Sequence, residues 1–277
     1  MRIRATVAAV SGALVLSAFA VPAAQAADAS SGKAAFSSAT SAAAATLNVT
    51  FSNMKVNSGK AVVVGATAKV AVPVTYTLTH AAGLDVSADN FASGPLIYRG
   101  TSVTSPTNEI ISDDPGTCTA ASTTVLNCKA TIYIRPTSDL ANTDAATWKA
   151  GGLAINADGT KTQGDLGSVP VKRLAKLTAD ATPEPVKKGK TITVTGKLTR
   201  ANWETNKDAG YASQPVKLQF RKNGSSTYTT VKTIKTSSTG ALKTTVKATV
   251  DGFFRYSFAG TSTTPAVNAT GDYVDVK

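Results

Sequence analysis

The chain has 277 residues, 42% hydrophobic and 17% charged, with a net charge of +12, two cysteines and one histidine. That length leaves room for one large or two ordinary domains, each with its own core. Two thiols and a single imidazole, His80, are too few for a Cys/His metal site of the usual kind.

The chain opens with Arg2 and Arg4. An apolar run over residues 5–21 follows, broken mainly by Ser11, Gly12 and Ser17, and then Pro22 and Ala24-Gln25-Ala26. Charged start, apolar middle and small-x-small site predict a secretory signal peptide over residues 1–26, with the mature chain starting near Ala27. The run is too short and interrupted for a membrane-spanning helix, so no integral membrane segment is expected in the mature chain. Residues 27–45 are Ala/Ser-rich and read as a flexible leader.

Charge divides what remains. Residues 27–170 carry nine basic and ten acidic side chains, net −1, whereas residues 171–277 carry eighteen and seven, net +11. This asymmetry predicts two domains of different electrostatic character, over residues 46–173 and 174–277.

In the first domain, Leu47-Asn48-Val49-Thr50-Phe51 alternates cleanly and Val62–Val64 is a second short strand. The strongest strand covers residues 69–78, with Val70, Val72, Val74, Tyr76 and Leu78 on one face. Pro73, facing the other way, should place it at an edge or a bulge. Short strands are expected at residues 84–86 and 96–99, and residues 101–116 read as turns. Residues 117–119 should lead into a hairpin returning along residues 125–135. Cys118 and Cys128, so close in an oxidising destination, are expected to form a disulfide across it. Residues 136–144 read as a connection, residues 146–157 as a strand anchored by Trp148, and residues 166–177 as the crossing into the second domain.

The second domain reads as short strands at residues 192–198, 216–220, 228–234, 242–250, 253–258 and 273–276. Apolar side chains recur at alternate positions: Ile192/Val194, Val216/Leu218/Phe220 and Phe254/Tyr256/Phe258. Residues 197–211 read as a polar connection holding Trp203, and Asn223-Gly224 as a hairpin turn. The fold class is therefore all-β, two tandem antiparallel β-sandwich domains, the second immunoglobulin-like.

One pattern runs through Gly196-Lys197-Leu198-Thr199-Arg200, Trp203, Tyr211, Val216-x-Leu218-Gln219-Phe220-Arg221, Asp251-Gly252-x-Phe254-Arg255, Phe258-x-Gly260-Thr261 and Asp272-x-Val274-Asp275-Val276. It resembles the C-terminal immunoglobulin-like modules of secreted actinobacterial proteins. The first domain, with Phe51, Lys55-Val56-Asn57, Val62-Val63-Val64-Gly65 and the cysteine pair, is similar to the module that often precedes them. The resemblance covers nearly all of the mature chain and implies fold and export. It brings no activity and no catalytic residue.

Candidate chemistry is sparse. His80 has no Cys or Asp neighbour at ligand spacing, and Gly-x-Ser-x-Gly, the P-loop and the dinucleotide fingerprint are absent. Most acidic residues sit beside Gly, Asn or Pro, where turn formation explains them. Asp85, Asp89 and Asn90, or Asp113 and Asp114 near Glu109, form the only hint of calcium. No other cofactor is expected. The leading expectation is a non-catalytic structural or adhesive protein engaging anionic cell-wall polymer, rather than nucleic acid, through Lys187, Lys188, Lys190, Arg221 and Lys222. A glycan-binding site at Trp203 and Tyr211 is the alternative, since flat rings stack on sugars. A hydrolase with an unrecognised site is the third reading.

Overall fold

A computed structural model describes residues 45–277. The expected signal peptide and leader, up to residue 44, lie outside the described residues. The N-terminal half holds β1 (Ala45–Thr46), β2 (Val49–Val56), β3 (Val62–Val64), β4 (Val70–His80), β5 (Phe91–Arg99), β6 (Asn108–Ile111), β7 (Thr117–Ser122), β8 (Val125–Ile134), β9 (Thr147–Asn156), β10 (Gly159–Gln163) and β11 (Ser168–Arg173). The C-terminal half holds β12 (Ala175–Leu177), β13 (Asp180–Thr182), β14 (Thr191–Asn202), β15 (Lys207–Gly210), β16 (Pro215–Lys222), β17 (Thr229–Lys235), β18 (Ala241–Lys247), β19 (Gly252–Phe258), β20 (Val267–Asn268) and β21 (Asp272–Val274). The only α-helical turn among the described residues is Pro136–Asp139.

Over the described residues the architecture is all-β, with four sheets. In the N-terminal half a four-stranded sheet, ordered β2-β4-β8-β7, faces a seven-stranded sheet centred on β9. On β4, buried Val72, Val74, Tyr76 and Leu78 alternate with exposed Ala71, Pro73, Thr75 and Thr79, so one face meets the core and the other meets water. β5 and β9 are buried on both faces. On their second face Leu96, Tyr98 and Leu153 form a small cluster, with Val103, Ile111 and Ile155 packed against it.

The structure departs from the sequence expectations at several strands. β4 is an interior strand, not an edge. Pro73 is tolerated because β2 stops at the Val56↔Val74 pair, leaving that side of β4 open one residue further on. Residues 108–111, read as turn, form β6, because Ile110 and Ile111 find partners on β5. Residues 84–86 form no strand; Leu84 and Val86 instead pack from a loop against the core. The pairing is not antiparallel throughout, since β1 with β10 and β3 with β11 run parallel.

In the C-terminal half, β14 collects β12, β13, β15 and β18 into one five-stranded sheet, and β16 and β19 organise the other with β17, β20 and β21. Ile192, Val194 and Leu198 from the first meet Val216, Leu218, Phe254, Tyr256 and Phe258 from the second. Each such side chain, fully buried, stabilises by about 1.5–3 kcal/mol. Gly196 lets the sheets close: a Cβ there would lie 2.8 Å from the Tyr256 ring. Residues 197–211 are not the connection expected; β14 continues through them and turns back as the β14–β15 hairpin.

Among the buried phenols, Tyr76 and Tyr256 sit one in each half. The Tyr76 hydroxyl donates to Ser93 O at 3.0 Å and the Tyr256 hydroxyl to Val194 O at 2.8 Å. Burial pushes each pKa up to about 12. An unfolded chain would ionise these phenols near the ordinary value of 10.0, so their contribution to stability is intact below that pH and is lost as pH rises through about 12. Chemical-denaturation midpoints should fall over that window, and the fall should flatten in Tyr76→Phe and Tyr256→Phe.

Cys118 and Cys128 are disulfide-bonded and sit directly opposite each other on β7 and β8. β7 is an exposed edge strand, so the bond holds an element that burial scarcely anchors. Replacing both cysteines with serine should cost about 2–3 kcal/mol in urea titration, the loop-closure value for a short loop. Hydrogen exchange should accelerate first in residues 117–122; uniform acceleration would assign the staple a global role instead.

Candidate functional site

The structure separates the residues singled out from the sequence. Trp203 is not a ligand platform: its side chain is 0% exposed. It sits at the end of the β14–β15 hairpin and is buried in one cluster with Val64, Ile134, Trp148 and Val171 of the N-terminal half. Its indole N–H donates to Gly65 O at 2.9 Å, and its backbone N–H to Asn142 Oδ1 at 2.9 Å. Its polar sequence neighbours misled, because Asn202 and Glu204 spend themselves on Asn142 at the same seam. Tyr211 is half-buried. Its ring packs edge-on against Phe258, and the Arg200 guanidinium lies 3.9 Å from the ring centroid.

The same seam buries Arg173, whose Nε donates to Ala201 O at 2.6 Å while its backbone N–H donates to Thr263 O at 2.9 Å. Desolvation, with Arg200 alongside, pulls its pKa down to about 10, and it remains charged at neutral pH.

Of the basic residues singled out, Lys188 and Lys222 come to one place. They line one open cleft of about 490 Å³ with Asn223, Asp251, Val276 and Lys277. Backbone pairing builds it. Lys188 N–H donates to Lys277 O and Lys277 N–H returns to Val186 O, both at 2.9 Å. Asn223 N–H donates to Asp251 O at 2.9 Å, which brings the end of β16 to the same rim. Asp251 is held in place by the Val276 N–H at 2.9 Å. Lys277, which the sequence did not single out, pairs with Asp275 at 2.8 Å, and that hydrogen bond raises its pKa. Lys187 and Lys190 are exposed but do not line the cleft, and Arg221 lies on the outer face of the sheet.

The remaining candidates form no site. His80 is buried at a strand end with Nδ1 3.1 Å from Ala81 O. Asp85 accepts from Ser87 N–H and from Asn90, which lowers its pKa and accounts for it as a turn residue. Asp113 pairs with Arg135. Glu109 is half-buried, and burial raises its pKa. Among the described residues no group of three or more His, Cys, Asp or Glu is placed to hold a metal. No helix among them is long and apolar enough to cross a membrane.

No protein-family model matches the chain, and no curated protein matches it. Solved structures similar to it include a chimeric titin Z1Z2 tandem, at 11% identity over 79% of this chain and 95% of that one, with a TM-score of 0.28. The D00–D0 domain of intimin is similar at 15% identity over 81% and 99%, TM-score 0.28. The titin fragment I67–I69 is similar at 11% over 84% and 67%, TM-score 0.32. Such low scores carry no argument about function. The all-β, sheet-on-sheet character rests on the strand pairing above.

Trp203→Ala should destabilise the chain by about 3–5 kcal/mol, the cost of a large cavity in a packed core. Calorimetry measures it; a loss under about 1 kcal/mol would deny the indole its role at the seam.

Proposed function

We propose that the chain is an exported, non-catalytic protein of two tandem β-sandwich domains, divided near residues 173–174, that adheres to anionic cell-wall polymer through its C-terminal half. The observation that carries this reading is the cleft that gathers Lys188, Lys222 and Lys277 in a stretch, residues 171–277, of net charge +11. Lys188 and Lys222 have no carboxylate within ion-pair distance among the described residues. Lysine ammoniums on flexible stems suit a polymer of repeating charge, which asks for potential rather than for one fixed geometry. The N-terminal half, near neutral and stapled at its edge strand, serves in this reading as the spacer and partner of the basic half. The signal-peptide pattern at residues 1–26 supports export.

The test is co-sedimentation of the full chain with purified, anionic-polymer-bearing cell wall. Binding should be strong at low ionic strength and fall steeply as salt is added. Lys188→Ala with Lys222→Ala should weaken it several-fold without changing the melting temperature. Binding indifferent to salt and to both lysines would sink the reading.

A further inference from the structure

The outward face of β16, β19 and β21 carries an arrangement that solubility alone does not call for. Strand alternation turns Gln219, Arg221, Phe253, Arg255 and Tyr273 away from the core. Register then sets Gln219 opposite Arg255, Arg221 opposite Phe253, and Phe253 opposite Tyr273. The Asn223-Gly224 turn brings Tyr228 back over the same face.

The result is a ladder of rings and guanidiniums. Arg255 Cζ lies 3.7 Å from the Tyr228 ring centroid, and Arg221 Cζ lies 5.4 Å from that ring and 4.1 Å from Phe253. The Phe253 and Tyr273 centroids are 5.1 Å apart. Tyr273, at 37% exposed, is one of two large hydrophobic side chains left open among the described residues.

Each guanidinium is held without being neutralised. Arg255 Nε donates to Gln219 Oε1 at 2.9 Å and Arg221 Nη1 to Ser225 O at 2.5 Å. Neither has a carboxylate within ion-pair distance among the described residues, whereas Arg99 and Arg135 pair with Asp144 and Asp113. Stacking on a ring fixes the plane of a guanidinium and leaves N–H groups at its edge, the geometry that grips a planar carboxylate with two hydrogen bonds.

We infer that this face binds an acidic polysaccharide whose sugars carry carboxylates, a uronate polymer, with the sugar ring on Tyr273 and the carboxylate on Arg221 or Arg255. The inference rests on the polyanion reading above and narrows it. Charge favours an anion over a neutral glycan, which would leave both guanidiniums unanswered. The rings favour a pyranose, whose C–H face buries against an aromatic side chain, over a polyol phosphate chain that has no flat face.

The full chain is titrated with oligogalacturonate, neutral oligogalactan and poly(glycerol phosphate). Oligogalacturonate should bind, and Arg255→Gln or Arg221→Gln should weaken it about tenfold or more, the scale of a lost hydrogen bond between charged groups. Arg255→Lys, which keeps the charge and loses the fork, should weaken it nearly as much, and Tyr273→Ala several-fold. Thermal melts of all four variants should match the parent. Lys188→Ala with Lys222→Ala should change it little, and the neutral glycan should not bind. If poly(glycerol phosphate) binds and only the lysine pair affects it, the uronate inference is overturned while the broader reading stands. If no polyanion binds at all, both fall.

Discussion

The indole of Trp203 crosses from one half of the chain to the other. It sits in the turn directly after β14, a strand whose Ile192, Val194 and Leu198 are core for the C-terminal sheets, and it ends among side chains of the N-terminal sheets with its N–H satisfied by Gly65 O. A buried tryptophan whose polar atom also has a partner is among the costliest single side chains to displace. Around it, Asn142 answers Asn202, Trp203 and Glu204, and Arg173 donates to Ala201 and, through its backbone, to Thr263. The crossing at Leu174 is therefore a packed seam: Leu174 N–H donates to Val64 O, while Ala201 N–H donates to Leu174 O.

That seam concentrates polar groups where they are satisfied and leaves the far end of the C-terminal half to its cations. The N-terminal half matches charge with charge, as Arg99 with Asp144 and Lys149 with Asp165. The C-terminal half has few acids to spare, and several of these serve the backbone: Asp251 accepts from Val276 N–H and Asp272 from Ala181 N–H. Its arginines turn to aromatic rings instead, Arg200 to Tyr211, Arg255 to Tyr228 and Arg221 to Phe253. Ring stacking steadies a cation without cancelling it, so the field of this half persists outside the protein.

How far each feature was legible depended on the range of the forces behind it. Alternation of apolar residues is local, and it marked β4, β16 and β19 with their inward faces. β6 escaped notice because Asn108-Glu109-Ile110-Ile111 lies among turn residues and becomes a strand only by pairing with β5. Pro73 argued for an edge or a bulge, and what resolved it was the length of β2, a fact about another segment. Trp203 looked exposed because its neighbours in sequence are polar, yet its neighbours in space are Val64 and Trp148.

The amino-acid order by itself determined the all-β character, the paired cysteines on one hairpin and the charge imbalance between halves, since these follow from period-two patterning, short separation and composition. Only the tertiary structure decided that Trp203 is buried, that Lys188 and Lys222 share a rim with Lys277, and that Arg221 and Arg255 lie on aromatic rings. Those outcomes are set by register and sheet packing between segments up to some 140 residues apart, as in the bond from Trp203 to Gly65 with its separation of 138, and no local pattern carries that information.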